Sequence, residues 1–134
     1  AVVKAAIALQ SQSTSNVCSF AQFGALAAVS GPRDCVHAMA EQFNGRRRLL
    51  SEGLRAIPGL ELLPPEGAFY AFPDISSTGL DSMTVCNRLL EEQGLAVVPG
   101  VAFGDDRCIR LSCAAADATI TDGLARLGRF MASL

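Results

Sequence analysis

The chain has 134 residues, of which 50% are hydrophobic and 18% are charged, a composition typical of a folded domain with a sizeable core. Its net charge of −2 and its isoelectric point near 5.3 argue against nucleic acid or an anionic membrane as the main partner. No apolar run reaches the roughly 20 residues needed to span a bilayer, and no signal peptide is visible. We therefore expect a cytoplasmic protein that binds neither nucleic acid nor membrane.

The nucleophilic and metal-binding side chains are few. There are five cysteines, an odd number with irregular spacing and no CxxC pair, so we expect reduced thiols rather than disulfides or a metal site. The single lysine is Lys4 and the single histidine is His37. Lys4 is therefore the one candidate for lysine chemistry, and His37 is the one candidate for histidine chemistry. We interpret His37 as structural or exposed.

The first part of the chain predicts helices. Residues 1–10 are apolar and alanine-rich, like the end of a helix that started upstream. A polar segment, 11–16, follows, in which Ser15 or Asn16 can cap a helix over 17–29. Gly31 marks the end of that helix.

A long helix is predicted next, over about 33–56. Its apolar residues recur at steps of three and four, which indicates one buried face. These residues are Val36, Met39, Phe43, Leu50, Leu54 and Ile57. The contiguous arginines 46–48 splay around the helix, so we interpret them as a solvated surface rather than a polyanion site.

Beyond Pro58-Gly59 the pattern alternates between strands and helices. Strands are predicted at 60–63, 68–73, 95–99 and 107–113, and helices at 82–93 and from Asp117 onward. The predicted fold class is α+β, in which N-terminal helices precede a small β-β-α-β-β-α sandwich.

Arg110 is the most informative residue. Alternation places Ile109 and Leu111 on one face of a strand and Arg110 on the other. A guanidinium in mid-strand is costly to bury without an anion, and it can hold a carboxylate through two parallel hydrogen bonds. Together with the glycine-rich turn 97–104 before it, Arg110 predicts a carboxylate-binding site.

Several segments, in order and spacing, resemble one known family. They are Gln10-Ser-Gln-Ser-Thr-Ser-Asn16 with Ala21-Gln22, Leu49-Leu-Ser-Glu-Gly-Leu54, Pro65-Glu-Gly-Ala-Phe-Tyr70, Gly94-Leu-Ala-Val-Val-Pro-Gly100 with Ala102-Phe-Gly104, and Ile109-Arg-Leu-Ser112. The chain resembles the C-terminal part of a fold type I, pyridoxal-phosphate-dependent aminotransferase of the aspartate aminotransferase class. The resemblance assigns residues 1–40 to terminal helices of the large domain with an interface segment, and 41–134 to the small domain.

The resemblance also implies roles for individual residues. Arg110 matches the arginine that binds the substrate α-carboxylate, and Ser15 matches a serine that approaches the cofactor site of the partner subunit in a homodimer. Some members use an arginine at the position of Ser11 to recognise a second carboxylate, and this chain lacks it. Phe69 resembles a residue near the substrate, although we interpret it as a core aromatic.

The family forms a Schiff base between pyridoxal phosphate and a lysine upstream of the polar segment. Lys4 does not match that lysine, so the resemblance implies no catalytic residue in this chain, no tightly bound cofactor, and no activity without the remainder of the enzyme. The substrates implied are an amino acid and a 2-oxo acid. Two alternatives stay open: a free-standing amino-acid-binding or regulatory α+β module without catalysis, and a structural dimerisation domain.

Overall fold

The computed structural model of the protein describes residues 1–13 and 17–134. These residues form two compact units, Ala1–His37 and Ala38–Leu134. The described residues contain five α-helices: α1 (Val2–Ser13), α2 (Ser19–Ser30), α3 (Asp34–Arg55), α4 (Ser82–Gln93) and α5 (Asp117–Ala132). They also contain three short strands: β1 (Tyr70–Ala71), β2 (Val98–Pro99) and β3 (Ile109–Ser112). The predicted α+β class is confirmed, and none of the described helices is long and apolar enough to cross a membrane.

The first unit consists of α1, α2 and the start of α3. None of its described residues is buried, although both helices are rich in apolar side chains. The most exposed of these side chains are Val2, Val3, Leu9, Phe20, Phe23 and Val29. Ser15 and Asn16 lie outside the described residues, so neither the predicted helix cap nor the predicted role of Ser15 toward a cofactor is tested.

The second unit has a closed hydrophobic core. The core forms where the second half of α3, helices α4 and α5, and one face of the sheet meet. Its fully enclosed members include Leu54 of α3, Val85 and Leu89 of α4, Ile109 of β3, and Leu127 and Phe130 of α5. Burial of a large aliphatic side chain stabilises a fold by about 1.5–3 kcal/mol, so these residues hold the unit together.

The sheet is antiparallel in the order β1-β3-β2. Tyr70 lies opposite Ser112, and Val98 lies opposite Arg110. The central strand therefore carries Arg110 between two flanking strands. The alternation predicted for this strand is confirmed, because Ile109 and Leu111 are buried while Arg110 is only partly buried.

The predicted strand at 60–63 is wrong, and so is the β-β-α-β-β-α order that depended on it. Only Glu61 pairs there, through a single antiparallel bridge to Asp74. Pro64 and Pro65 follow and have no N–H groups to extend a ladder. After α3 the observed order is β-α-β-β-α.

The boundaries of α4 follow from local chemistry. Asp81 caps the first turn by accepting a hydrogen bond from the Thr84 N–H at 2.8 Å. Gly94 ends the helix in the left-handed conformation at φ 61°. Arg126 of α5 donates to the Gln93 carbonyl oxygen at 2.7 Å, which satisfies one carbonyl at the end of the helix.

Candidate functional site

The site is built around Arg110, on the face of β3 opposite the core. The guanidinium carbon lies 4.3 Å from the centroid of the Tyr70 ring and 4.4 Å from the centroid of the Phe103 ring. Tyr70 belongs to β1 and Phe103 follows β2, so the two rings reach Arg110 from opposite sides of β3. Both distances are within the range of cation–π attraction.

Arg110 has no acidic partner among the described residues. The ion pairs in the described parts of the chain join Arg46 to Asp117, Arg88 to Glu92, Arg107 to Asp105 and Arg126 to Asp122. Contact with ring faces engages the cation without satisfying its N–H groups, and a guanidinium has five of them in a fixed fork. The arrangement suits a planar anion such as a carboxylate.

A tight turn after β2 carries Phe103. Gly100 donates to the Cys108 carbonyl oxygen at 2.9 Å, and its Cα lies so close to the backbone of Asp105 and Cys108 that a Cβ would overlap their carbonyl oxygens. Gly104 closes the short 3-10 helix Gly100–Phe103 at φ 88°, a conformation that favours glycine. The two glycines thus allow the turn that brings Phe103 back toward β3.

Ser82 and Asp106 anchor the same turn to the start of α4. Ser82 is fully buried, and its hydroxyl and N–H both donate to Asp106 Oδ1, at 2.6 and 3.0 Å. The Val101 N–H donates to Ser82 Oγ at 3.2 Å. A buried polar group with satisfied hydrogen bonds fixes its surroundings, so the position of Phe103 is set by α4 as well as by the sheet.

The Asp105–Arg107 pair stiffens the end of the turn. Arg107 donates from its Nη2 to Asp105 Oδ2 at 2.7 Å and from its Nε to Oδ1 at 3.0 Å. These hydrogen bonds lower the pKa of Asp105 from 3.8 to about 2 and raise the pKa of Arg107. Asp105 is therefore fully ionised at neutral pH.

A cavity of about 230 Å³ lies beside Arg110. Its walls are mainly aliphatic and come from β2, β3, α5 and the segment before β2. The residues that line it include Leu95, Val97, Leu111, Ile120 and Leu124. Arg110, Ser112 and Thr119 contribute polar groups to the same lining, so the cavity combines apolar walls with one cation.

Comparison with known proteins identifies the family. Residues 1–127 match the family described as aminotransferase class I and II. The chain belongs to this family. It is 42% identical, over 143 residues, to the aspartate/prephenate aminotransferase of Cereibacter sphaeroides, covering 99% of this chain and 36% of that protein.

Solved structures of the family have the same fold. The aspartate aminotransferase of Rhizobium meliloti superimposes with a TM-score of 0.87 at 35% identity, over 97% of this chain and 35% of that one. The aspartate aminotransferase of Thermus thermophilus with maleate gives a TM-score of 0.79 at 37% identity, over 96% of this chain and 34% of that one. The chain spans about a third of the length of these relatives.

Within this aminotransferase fold, the interpretation of Phe69 as a core residue is wrong. Phe69 is 40% exposed. Its ring lies 4.3 Å from the Tyr70 ring and 6.3 Å from the Phe43 ring, so it extends the aromatic row that begins at Phe103 and Tyr70. The role near the substrate that the family resemblance implies stays a prediction.

The arginines 46–48 are not uniformly solvated. Arg46 pairs with Asp117 at 2.9 Å and so joins α3 to the start of α5. Arg47 donates to the Pro65 carbonyl oxygen at 2.6 Å, and of the three arginines only Arg48 is exposed. Two of these side chains therefore fasten the fold, a role that helical spacing alone did not indicate.

The chain has a single lysine, Lys4, as a candidate for a Schiff base with pyridoxal phosphate. A Schiff base to the cofactor requires a lysine, and residues 38–134 contain none. Lys4 lies exposed on α1 in the first unit, and His37 is also exposed. The described residues hold no cluster of three or more metal-ligating side chains.

The sequence missed two members of the site, Tyr70 and Phe103. Tyr70 lies opposite Ser112 in the register, and Phe103 lies at the end of the glycine turn. Both residues stand in segments already singled out for their glycines and their strand pattern. In the sequence, the position of Phe103 between Gly100 and Gly104 indicates a turn that carries an aromatic side chain. Its contact with Arg110 depends on how that turn folds back.

Proposed function

We propose that this chain is the C-terminal part of a pyridoxal-phosphate-dependent aminotransferase that moves an amino group between an amino acid and a 2-oxo acid. In this proposal Arg110 binds the α-carboxylate of the substrate. Residues 1–40 belong to the large domain and the subunit interface, and residues 41–134 form the small domain. A homodimer in the cytoplasm is part of the same proposal and rests on the resemblance to the family.

One observation carries the role of Arg110. Arg110 is partly buried, its guanidinium carbon lies 4.3 and 4.4 Å from two aromatic ring centroids, and it has no carboxylate partner among the described residues. A partly desolvated cation without an anion is costly, and a bidentate carboxylate would relieve that cost. By contrast, Arg46 and Arg107 already hold acids of this chain.

The comparison with Thermus thermophilus supports the choice of ligand. That aspartate aminotransferase was solved with maleate, a dicarboxylate, and shares 37% identity with this chain. Arg110 could bind one of the two carboxylates of such a ligand. The second carboxylate has no assigned partner here, because Ser11 stands where some members carry an arginine.

The exposed apolar surface of the first unit supports the view that more protein accompanies this chain. Phe20 is 79% exposed and Phe23, about one turn further along α2, is 73% exposed. Soluble proteins rarely leave contiguous apolar surface uncovered. We therefore propose that the 134 residues alone do not catalyse amino transfer, because the Schiff-base lysine belongs to the rest of the enzyme.

The closed core of residues 38–134 favours one alternative, a module that binds an amino acid without chemistry. This unit encloses its own core, from Leu54 to Phe130, and carries Arg110 on its surface. Such a module would bind a carboxylate in the absence of pyridoxal phosphate and would have no catalytic partner segment.

An amino-transfer assay separates the two functions. The complete protein that contains this sequence and the 134-residue chain are each mixed with pyridoxal phosphate, 2-oxoglutarate and each of the common amino donors in turn, beginning with aspartate, and glutamate formation is followed. The proposal predicts turnover by the complete protein and none by the chain. Absence of turnover with every common amino donor, together with cofactor-independent amino acid binding, would establish the alternative.

A further inference from the structure

We infer that Phe103 and Tyr70 are positioning residues that clamp the Arg110 guanidinium and present its N–H groups to a carboxylate. This inference rests on the proposed role of Arg110 and assigns the two aromatic residues their part in it. Neither ring needs to touch the substrate in this account. Each acts through the guanidinium.

The distances from the two rings to the Arg110 guanidinium are the first evidence for the clamp. Two ring centroids lie within 4.4 Å of the same guanidinium carbon, one from each side of the central strand. Cation–π attraction extends to about 6 Å, so both contacts are close ones. Arginine is suited to this arrangement because its planar, weakly hydrated guanidinium stacks on aromatic faces while its edge donates hydrogen bonds.

The second evidence is that no other described side chain binds the Arg110 guanidinium. Among the described residues Arg110 makes no hydrogen bond to a side chain and no ion pair, whereas Arg107, three residues earlier, is held by Asp105 through two hydrogen bonds. The rings are thus what holds the Arg110 side chain in place in the described structure. A long, flexible cation fixed before the ligand arrives loses less rotamer entropy on binding.

The third evidence is that other residues hold Phe103 itself in place. The turn that bears it is closed by Gly100 and Gly104 and is bonded to the buried Ser82. The ring also lies edge-on to Phe72, with centroids 6.2 Å apart and planes at 89°. Although Phe103 is 50% exposed, its ring contacts Phe72 and its backbone turn is anchored, as a residue that positions another requires.

A pair of substitutions isolates the aromatic face. Phe103→Leu keeps an apolar side chain but removes the ring, whereas Phe103→Tyr keeps the ring. Val101→Ala is the matched control, because Val101 lies in the same turn and is also 50% exposed. Proton NMR of the purified 134-residue chain reports the clamp, since protons over ring faces are shifted upfield. Loss of the signals in Arg110→Lys assigns them to Arg110.

The inference predicts upfield-shifted Arg110 side-chain protons in the wild-type chain, in Phe103→Tyr and in Val101→Ala. In Phe103→Leu the shift should shrink, and maleate, titrated as the carboxylate probe into the complete protein that contains this sequence, should bind about two- to fivefold more weakly. Unchanged Arg110 shifts and unchanged maleate affinity in Phe103→Leu would overturn the inference.

The carboxylate role of Arg110 and the clamp by the two rings are tested by separate measurements. If maleate binds equally well to the complete protein that contains this sequence and to its Arg110→Lys variant, the carboxylate role of Arg110 is wrong. The ring-dependent shift of Arg110 decides the clamp separately, with no ligand present.

Discussion

Gly53 of α3 packs directly against the Leu124 side chain of α5, so closely that a Cβ at Gly53 would overlap Leu124 Cδ1. We predict that Gly53→Ala lowers the free energy of unfolding by about 1 kcal/mol. Over-packing costs about 1–3 kcal/mol, and the better helix propensity of alanine offsets roughly 1 kcal/mol of it. Urea unfolding followed by circular dichroism measures the change.

Gly45 provides the control on the same helix. A Cβ at Gly45 would meet no atom within 4 Å. Gly45→Ala should therefore raise the free energy of unfolding by up to about 1 kcal/mol through helix propensity alone. If both alanine variants were equally stabilised, the close contact between α3 and α5 would be contradicted.

Stability should fall in acid as Asp105 loses its charge. Hydrogen bonds from Arg107 lower the pKa of Asp105 from 3.8 to about 2. A lowered pKa in the folded state gives stability that is present above about pH 4 and is lost as the pH falls toward 2. Asp105→Asn should therefore be less stable than the wild type at pH 6, and the two should converge near pH 2.

The effect of Asp105 should be modest, because the Arg107 side chain is 70% exposed and solvent screens the pair. Arg107→Gln is the reciprocal test, since it removes the positive charge and the guanidinium donors and leaves Asp105 in place. Urea midpoints between pH 2 and pH 7 measure both variants. A difference from the wild type that stays constant across this range would exclude the ion pair as its source.

The five thiols should separate into two classes. Cys18 and Cys35 are exposed, whereas Cys86, Cys108 and Cys113 are buried. Burial raises the pKa of the Cys86 thiol to about 11 and also raises the pKa of the other two buried thiols. Titration with a disulfide reagent at pH 8 should show two fast and three slow thiols, and all five should react fast in denaturant.

The double variant Cys18→Ser/Cys35→Ser checks the assignment of the fast class. It should lose the rapid phase and keep the slow one. More than two rapidly reacting thiols in the folded wild type would mean that at least one of the three core cysteines is accessible.

The boundaries of α4 could be predicted from the sequence because the signals that set them are local. The sequence predicts a helix over 82–93, and the structure has it at Ser82–Gln93. Asp81 bonds a backbone N–H three residues ahead, and Gly94 adopts the left-handed conformation that ends a helix. The two faces of β3 were likewise predictable, since alternation along a strand is also local.

Contacts between distant segments could not be predicted in this way. Phe103 meets Arg110 only because Gly100 closes the turn onto Cys108, and Arg47 meets Pro65 only because α3 passes that loop. Phe69 was expected in the core because it is aromatic, yet aromatic side chains also line exposed sites. Composition and periodicity predict which side chains are buried on average, but they do not predict which distant side chains come into contact.

The measurement that tests the central claim most directly is the steady-state kinetics of Arg110→Lys in the complete protein that contains this sequence. Arg88→Lys is the matched control, because Arg88 also lies over a ring, 5.2 Å from the centroid of Phe130, but is held by Glu92. An ammonium cannot form the bidentate pair, so we predict that kcat/KM for the amino acid and for the 2-oxo acid falls about 100-fold in Arg110→Lys, equivalent to about 2.7 kcal/mol. The Arg88→Lys enzyme should keep the wild-type value. An unchanged kcat/KM in a folded Arg110→Lys enzyme would contradict the carboxylate site.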